Sequence, residues 1–535
     1  MPTLDWIGKK AVVNHHRQVP YRLLYCDPDL SAGDPDSGNL LVQGDNLEAL
    51  KALLPYYAGQ VKCIYIDPPY NTGNENWVYN DNVNSPEIKK WLQKTVGGEA
   101  EDLSRHDKWL CMMYPRLTLL REFLREDGAI FVSIDDNEVH NLRHIMDEVF
   151  GSRNFIASFV WQKRYSRENR EAIGDVHEYV VVYVRDPALF KKTRNKIPLD
   201  EKSAKVYKNP NNDPRGRWRG IPMSAQGYRP NQMYPITTPS GKVIRPPKGR
   251  CWSIIEPEFN KLLEAGRIYF GKKGSSAPQI TRYLDEVEGL VPWTWWPHEE
   301  VGHTDEAKKE ILRLDLPGDI FDTPKPTRLI TRILQIATEK DSIILDSFAG
   351  SGTTGHAVLV LNNADRGNRK FILVEMEPDV CHGVAAQRLE RAATGYDQVN
   401  GNKSRLVQGL GGGFKYCVLG KPMFDEAGNI AKSVSFADLA AHVFFTETGV
   451  PILDRNVNSP FLGVHQSKAV YLLFNGVMGD KRPQGGNVLT GKVLATLRPH
   501  DGPKVIYGEG CRLSPPRLRR EGVIFKQVPY EIKVS

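Results

Sequence analysis

The sequence has no long hydrophobic run. Its apolar stretches fall well short of the roughly 18 consecutive apolar residues that a membrane-spanning helix needs. The first twenty residues, MPTLDWIGKKAVVNHHRQVP, have no apolar segment typical of a signal peptide. We therefore expect a cytoplasmic protein rather than a membrane or secreted one.

Paired cysteine motifs are also absent. The seven cysteines of the 535-residue chain are scattered, and no two have the Cys-x-x-Cys spacing that is typical of zinc sites. Several of them, such as Cys63 in VKCIYI, lie inside apolar runs and are expected in the core. The sequence therefore predicts neither a zinc site nor a disulfide framework.

A phosphate-binding loop of the form Gly-x-x-x-x-Gly-Lys-Ser/Thr is missing as well. The glycine-rich segment GLGGGFK at 409–415 lacks the Gly-Lys pair and predicts only a flexible turn. An ATP-driven activity would therefore have to come from a second protein.

Positive charge is modest overall but uneven along the chain. The 71 Lys and Arg residues exceed the 64 Asp and Glu residues by 7, whereas residues 161–282 contain 25 basic and 11 acidic residues, a net of +14. One basic region in an otherwise acidic chain is typical of a module that binds a polyanion. A solvated, lysine-rich surface would give the same count.

Helical and strand patterns alternate in two separate parts of the chain. They predict helix–strand pairs at 44–57 and 61–66 and at 109–124 and 129–134. A segment rich in Arg, Pro, Gly and aromatic residues follows, and the alternation resumes at 323–392. This order predicts a parallel α/β sheet that is interrupted by a basic insert of roughly 160 residues.

The first of these strands ends in an unusual polar turn, within IYIDPPYNTG at 64–73. Asp67, Pro68, Pro69 and Tyr70 follow the apolar run directly, and prolines do not continue a sheet. A rigid turn after a strand is the simplest explanation, and a binding site at the end of the strand is the alternative.

A second motif, DSFAGSGTT, lies between a predicted strand and a predicted helix, which is the context of a nucleotide-type ligand site. Gly350 and Gly352 allow the backbone to turn tightly, and Glu375 closes the next strand, where a carboxylate can bind ribose hydroxyls. The spacing of the glycines also fits a dinucleotide loop. However, Asp346 would repel a pyrophosphate and suits a ligand with a cationic amino-acid end, so we favour S-adenosylmethionine over NAD.

Together these motifs resemble those of the amino-methylating DNA methyltransferases. The catalytic motif comes first, the cofactor motif last and a basic insert between them, an order similar to that of the β class and, within it, of the modification subunits of type III restriction systems. The likeness covers about residues 40–395 and rests on GDNLEAL, IYIDPPYNTG, EDGAIFVSIDDNE, EYVVVYV, FDTPKP and DSFAGSGTT.

The resemblance implies a particular fold. We expect an α/β, Rossmann-like methyltransferase sheet that is circularly permuted, with the catalytic half first. The expected domains are an N-terminal arm, a catalytic half, a basic target recognition insert, a cofactor-binding half and a strand-rich C-terminal accessory region, at residues 1–40, 41–160, 161–320, 321–400 and 401–535.

The resemblance also implies roles for individual residues. The Asp67 carboxylate and the Pro68 carbonyl would accept hydrogen bonds from a target amine, held in place by Pro69, and Tyr70 would stack on the base, with no metal involved. Asp45 could equally be a plain helix N-cap, and the TPKP stretch a plain linker. The implied cofactor-binding residues are Asp45, Thr323, Lys325, Asp346, Phe348, Gly350, Gly352, Thr353 and Glu375.

The function that the resemblance implies is transfer of a methyl group from S-adenosylmethionine to N6 of a flipped adenine in double-stranded DNA. The implied partners are duplex DNA, a second copy of the chain and an ATP-dependent restriction subunit. The alternatives are cytosine-N4 methylation, methylation of RNA or protein, an orphan methyltransferase without a restriction partner, and a DNA-binding module without catalysis. In this family the acid at Asp67 favours adenine over cytosine.

Overall fold

The computed structural model describes most of the chain as two compact units. One unit comprises residues 1–195 and 293–535, and the other comprises residues 196–292. Within the described residues, no helix is both long and apolar enough to cross a membrane. The described residues are 3–34, 36–72, 104–166, 173–199, 201–314, 316, 323–400, 403–425, 429–453, 457–476 and 482–529.

The larger unit begins with alternating strands and helices. Every residue of its third strand is buried, as expected for a strand covered on both faces. The strands are β1 (Arg22–Gly33), β2 (Leu40–Gln43), β3 (Val61–Ile66), β4 (Leu124–Ile134), β5 (Phe155–Gln162) and β6 (His177–Val184). The helices are α1 (Lys9–Val12), α2 (His15–Gln18), α3 (Asn46–Tyr57), α4 (Arg105–Phe123), α5 (Val139–Met146) and α6 (Pro187–Thr193), with a π-helical turn at Asp147–Gly151 and a 3-10 turn at Ser152–Asn154.

The smaller unit is built from short strands around a small core. Met223, Ile236, Trp252, Phe259 and Phe270 form this core. Its helices are α7 (Glu201–Ala204) and α8 (Glu256–Glu264), with 3-10 turns at Pro230–Gln232 and Leu284–Glu286. Its strands are β7 (Trp218–Pro222), β8 (Ser224–Gln226), β9 (Ile236–Thr237), β10 (Val243–Ile244), β11 (Arg250–Trp252), β12 (Ile268–Tyr269) and β13 (Gln279–Tyr283).

The larger unit resumes after the smaller one with a second strand–helix series. The strands are β14 (Trp295–Trp296), β15 (Ile343–Asp346), β16 (Lys370–Glu375), β17 (Gly395–Asn400), β18 (Lys403–Gln408) and β19 (Gly413–Pro422). The helices are α9 (His298–Val301), α10 (Thr304–Arg313), α11 (Thr327–Ala337), α12 (Thr353–Asp365), α13 (Pro378–Val380) and α14 (Gln387–Thr394), with a π-helical turn at Cys381–Ala386.

The C-terminal part of the larger unit forms its own sheet, in the order β20-β21-β23-β25, next to a short β22-β24 pair. The strands are β20 (Phe461–His465), β21 (Lys468–Leu472), β22 (Val488–Leu489), β23 (Lys504–Gly508), β24 (Gly510–Cys511) and β25 (Val523–Gln527). The helices are α15 (Phe436–Thr448), α16 (Gly491–Thr496) and α17 (Pro515–Arg520).

The main sheet has the strand order β1-β19-β2-β16-β15-β3-β4-β6-β5-β14. Its central strands are parallel, but β6 is antiparallel to both β4 and β5, and β1 is antiparallel to β19. The sheet is therefore mixed, and the prediction of a parallel sheet was too simple. A continuous apolar run such as that of β6 predicts a buried strand but does not indicate its direction.

Two segments outside the predicted methyltransferase halves contribute to this sheet. Residues 1–40, expected to be an irregular arm, contain α1, α2 and the long strand β1. β19, from the expected accessory region, pairs in parallel with β2. Their pairing depends on partners far away in sequence, so local composition could not indicate it.

A disulfide corrects the expectation drawn from cysteine spacing. Cys26 in β1 and Cys417 in β19 lie opposite each other across the antiparallel pair and are bonded. Since 391 residues separate them, their positions in the sequence gave no signal. The remaining cysteines are free, and all but Cys511 are buried.

The parallel core of the sheet places the ends of the key strands together. β15 pairs in parallel with β3 and with β16, and β3 pairs in parallel with β4. The carboxyl ends of these strands therefore lie at one edge, which is where ligands bind in open α/β sheets.

We expect the central strand β15 to be critical for stability. Leu345 is completely buried in the core, so Leu345→Ala should lower the free energy of unfolding by about 2–5 kcal/mol. Leu453 is 97% exposed, and Leu453→Ala should change it by less than about 0.5 kcal/mol. Urea unfolding followed by circular dichroism measures both, and equal effects would contradict the central position of β15.

Candidate functional site

The ends of β3 and β15 border a cavity of about 190 Å³ in the larger unit. Residues from the turn after β3, the loop after β15 and the segment before α11 line it. The structure thus brings most of the predicted site residues together, namely Asp67, Pro68, Pro69, Tyr70, Thr323, Lys325, Asp346, Phe348, Gly350 and Thr353.

Asp67 forms the central ion pair of the cavity. Nζ of Lys325 lies 2.7 Å from its Oδ2 atom, and the Tyr70 hydroxyl donates a hydrogen bond of 2.8 Å to its Oδ1 atom. The same Lys325 ammonium lies 5.0 Å from the centre of the Tyr70 ring, within reach of a cation–π interaction. The DPPY turn and the TPKP segment, 258 residues apart, therefore meet at one carboxylate.

The DPPY turn is held in place from behind by helix α4 and its surroundings. The Trp109 indole N–H donates a 2.7 Å hydrogen bond to the Pro69 carbonyl. Asn71 has a φ of 60°, a left-handed conformation that asparagine tolerates better than most residues. Its side-chain amide donates to Glu138 at 2.6 Å and to the Arg105 carbonyl at 3.1 Å. The turn is thus fixed before any ligand binds.

Glu178 is a cavity residue that the sequence motifs missed. It lies near the start of β6, and its Oε2 atom is 3.1 Å from the Tyr70 hydroxyl and 3.7 Å from Nζ of Lys325. Its Oε1 atom is 3.4 Å from Nζ of Lys163. An acid at the head of the apolar run EYVVVYV was the available signal, because a charge in a buried strand needs a partner.

The glycine-rich loop is organised by two buried carboxylates. Asp346 accepts hydrogen bonds from the Phe348 backbone N–H at 3.0 Å and from the Thr354 hydroxyl at 2.5 Å. Glu375 accepts a 2.7 Å hydrogen bond from the Gly350 N–H. Together they fix the loop between β15 and α12.

Gly352 and Glu375 support the loop but do not line the cavity. Gly352 precedes α12 with a φ of 75°, and a Cβ there would lie 3.3 Å from the Cα of Ala385, so a side chain is disfavoured twice. Both oxygens of Glu375 accept backbone N–H groups, the second from Glu377 at 3.0 Å. Its predicted contact with a ribose stays a prediction.

Asp45 does not line the cavity either. It caps α3 by accepting hydrogen bonds from the backbone N–H groups of Leu47 and Glu48, and it pairs with Arg116 at 3.0 Å. The N-cap that the sequence left open is therefore present. Its predicted contact with a cofactor stays a prediction.

A fully buried arginine joins the glycine-rich loop to the TPKP segment. Nη1 of Arg388 donates to the hydroxyls of Thr353 at 2.8 Å and Ser351 at 3.1 Å, and Nη2 donates to Thr327 at 3.0 Å. The Thr353 hydroxyl in turn donates to the Lys325 carbonyl at 3.2 Å. These hydrogen bonds link the glycine-rich loop to the backbone of Lys325.

Two carboxyl groups that line the cavity have raised pKa values. Burial raises the pKa of Asp346 to about 7, and the nearby charges of Asp67 and Glu375 add to this. Burial also raises the pKa of Asp67, against the opposing effect of the Lys325 ammonium. In the part of the chain that the structure describes, no basic side chain forms an ion pair with Asp346, so a positive ligand group beside it would favour its ionised form.

Parts of two motifs fall outside the described residues, namely Gly73 of IYIDPPYNTG and residues 321–322 of FDTPKP. Within the described ranges, no group of three or more His, Cys, Asp or Glu side chains is placed to hold a metal ion. The residues that line the cavity offer carboxyl groups and backbone hydrogen-bond acceptors beside the glycine-rich loop.

The raised pKa of Asp346 predicts a pH-dependent stability. The folded protein retains a proton up to about pH 7 that the unfolded chain loses near pH ~3.9, so the free energy of unfolding should fall as pH rises between these values. Asp346→Asn removes this pH dependence. Between these pH values, the free energy of unfolding of the wild type should fall by roughly 4 kcal/mol at most relative to that of the variant. Urea unfolding at several pH values measures this difference. Parallel curves for the two proteins would contradict the raised pKa of Asp346.

Comparison with known proteins gives matches over the part of the chain that lines the cavity. Residues 61–388 match the family described as DNA methylase. The chain is 37% identical to the type III restriction-modification enzyme StyLTI Mod subunit of Salmonella typhimurium, over 72% of this chain and 60% of that protein. It is 34% identical to the EcoPI Mod subunit of Escherichia phage P1, over 70% and 63%. It is 31% identical to the type II methyltransferase M.KpnI of Klebsiella pneumoniae, over 65% and 82%.

Among solved structures, the PvuII DNA methyltransferase (cytosine-N4-specific) aligns with 70% of this chain and 91% of its own, at 13% identity and a TM-score of 0.35. The chain spans about three-fifths of the length of the type III relatives that it matches. The family match covers more than half of the chain and includes both motifs around the cavity. It confirms the resemblance seen in the sequence: this chain belongs to the DNA methylase family.

Proposed function

We propose that this protein transfers a methyl group from S-adenosylmethionine to N6 of an adenine in duplex DNA. The observation that carries the proposal is the half-buried Asp67 of the DPPY turn, held by Lys325 and Tyr70 in the cavity that Asp346 also lines. The names of the type III relatives support a role as the modification component of a restriction–modification system.

The proposed chemistry depends on fixed hydrogen-bond acceptors. The lone pair of the adenine amine is delocalised into the ring, so the amine is a poor nucleophile. The Asp67 carboxylate and the Pro68 carbonyl would accept its two N–H groups and favour a localised lone pair. Because Trp109 and the two prolines hold the turn rigidly, these acceptors would need little reorganisation.

Tyr70 is proposed to stack on the target base. An adenine inside a duplex cannot reach a cavity at the end of a sheet, so it must leave the helix, at a cost of roughly a few kcal/mol. A ring whose hydroxyl is already tied to Asp67 offers a preoriented stacking surface. Pro69 restricts the backbone of the turn and so would keep the Tyr70 ring close to Asp67.

The acids around the loop fit S-adenosylmethionine. When bound, this cofactor supplies a methyl group on a positively charged sulfur. Asp346 offers a carboxylate that forms no ion pair with a described basic side chain, and Phe348, Gly350 and Thr353 line the same cavity. Thr323 and Lys325, from the segment before α11, would also contact the cofactor. Contacts of Asp45, Gly352 and Glu375 with the cofactor would be indirect, because none of the three lines the cavity.

The finer fold assignment is also a proposal. β3 with the DPPY turn precedes β15 with the cofactor loop in the chain, although both lie side by side in the sheet. This order supports a circularly permuted, Rossmann-like methyltransferase sheet. We propose a catalytic half at 41–160 and a cofactor-binding half at 321–400.

The smaller unit is proposed to recognise DNA. Residues 196–292 contain 17 Lys and Arg residues against 9 Asp and Glu residues. They lie within the predicted insert at 161–320, whose strands β6 and β14 belong to the main sheet. An excess of positive charge suits binding to phosphates, which supplies affinity without sequence specificity.

A restriction subunit and a second copy of this chain are the proposed protein partners. The Mod subunits that it resembles are named as parts of type III enzymes. The likeness to M.KpnI, which covers most of that protein, favours the alternative of a methyltransferase acting without such a subunit. Cytosine-N4 transfer is the alternative for the target base.

Asp67→Asn should reduce methyl transfer at least about 100-fold, because it removes a charged acceptor fixed at the reacting amine. The measurement is nucleoside mass spectrometry of unmethylated plasmid DNA incubated with S-adenosylmethionine. Asp136→Asn is the matched control, since Asp136 follows the neighbouring strand and accepts a hydrogen bond from Tyr179 outside the cavity.

The product identifies the target base. N6-methyladenine from the wild type and from Asp136→Asn, but not from Asp67→Asn, supports the proposal. N4-methylcytosine would show that the target base is cytosine, which is the alternative. No methylated nucleoside on several DNAs would contradict a DNA methyltransferase that acts alone.

Removing two exposed lysines of the smaller unit should weaken DNA binding in a salt-dependent way. The double variant Lys242→Ala/Lys248→Ala should reduce the slope of log affinity against log salt by roughly 2. The control is Lys191→Ala/Lys192→Ala, two exposed lysines of α6 in the larger unit. Fluorescence anisotropy with a labelled duplex measures both, and equal slopes would contradict DNA binding by residues 196–292.

A further inference from the structure

Glu178 connects three segments of the cavity. It contacts Tyr70 from the DPPY turn, Lys325 from the TPKP segment and Lys163 from the end of β5. Only 11% of its side chain is exposed. Burying a carboxylate costs free energy unless charged or hydrogen-bonding groups surround it, and these three groups do so.

Lys325 and Tyr70 each lie between Glu178 and Asp67. Nζ of Lys325 is 2.7 Å from Asp67 and 3.7 Å from Glu178. The Tyr70 hydroxyl is 2.8 Å from Asp67 and 3.1 Å from Glu178. A tyrosine hydroxyl has one proton to donate, so the two carboxylates compete for it, whereas the ammonium group has three N–H donors and is shared between them.

We propose that Glu178 is a positioning residue for methyl transfer, which shares Lys325 and Tyr70 with Asp67 and so leaves the Asp67 carboxylate able to accept the target amine. The inference rests on the proposed function. A carboxylate that is the sole partner of a lysine and a tyrosine is a weaker acceptor for a third donor. Glu178 draws part of both donors away from Asp67, and its like charge also acts on Asp67 directly.

The charges that face Asp67 determine the sign of the expected pH effect. Burial raises the pKa of Asp67, the Lys325 ammonium lowers it, and the like charge of Glu178 raises it. Removing the charge of Glu178 should therefore lower the pKa of Asp67 and move the acid limb of the pH–rate profile to lower pH. The groups around the two carboxylates are Tyr65, Tyr70, Asp135, Lys163, Lys325 and Asp346.

The variant Glu178→Gln keeps the size of the side chain and removes its charge. We expect kcat for DNA methylation to fall about tenfold, the KM for S-adenosylmethionine to stay within about twofold, and the acid limb to move to lower pH. Asp175→Asn is the control. Asp175 also pairs with Lys163, at 2.7 Å, but it is 57% exposed and does not line the cavity.

A purely structural role gives a different pattern. A loss of activity in Glu178→Gln that comes with an unmoved acid limb, or an equal loss in Asp175→Asn, would overturn the proposal. Unchanged kcat and an unchanged pH profile in Glu178→Gln would overturn it too, while the proposed function stands.

A second readout does not need turnover. In protein labelled with carboxyl-13C aspartate, the resonance that disappears in Asp67→Asn belongs to Asp67, and its titration can be followed with and without Glu178→Gln. A shift of this titration to lower pH supports the sharing of Lys325 and Tyr70. An unshifted titration overturns it, whereas absence of DNA methylation by the wild type counts against the proposed function alone.

Discussion

The ion pair between Asp67 and Lys325 is the interaction on which the rest of the site depends. Removing a carboxylate from water is costly, and a lysine at 2.7 Å offsets this cost only if both groups are held in place. Asp67 is held by the rigid DPPY turn after β3. Lys325 is held by its backbone, whose carbonyl accepts the Thr353 hydroxyl that Arg388 also binds. Distant parts of the chain must fold together before the pair can form.

The mixed sheet supplies this arrangement. β3 and β15 are neighbours in space although 276 residues separate the end of one from the start of the other, and their parallel pairing places both carboxyl ends at one edge. The antiparallel strand β6 pairs with β4, which is the neighbour of β3, and brings Glu178 to the same edge. A fully parallel sheet would put the start of β6, and with it Glu178, at the opposite edge.

The sequence identified what local patterns can carry. The turn after β3 and the glycine-rich loop after β15 combine unusual residues with an adjacent apolar strand, so their places in the fold followed from short stretches. Glu178 was missed because one acid in an apolar run has no spacing rule. The pair Cys26–Cys417 and the direction of β6 were missed because strand pairing is a property of the folded sheet.

The cavity and the excess of basic residues belong to different units of the chain. Every residue that lines the cavity belongs to the larger unit, whereas residues 196–292 contain the excess of 17 basic over 9 acidic residues and their own small core. Under the proposed function, substitutions on the surface of the smaller unit would alter DNA contacts without changing Asp67, Tyr70 or Lys325, which belong to the larger unit. A fold that holds its proposed reactive groups and its excess of basic residues in separate units could then change what it recognises while its chemistry stays constant.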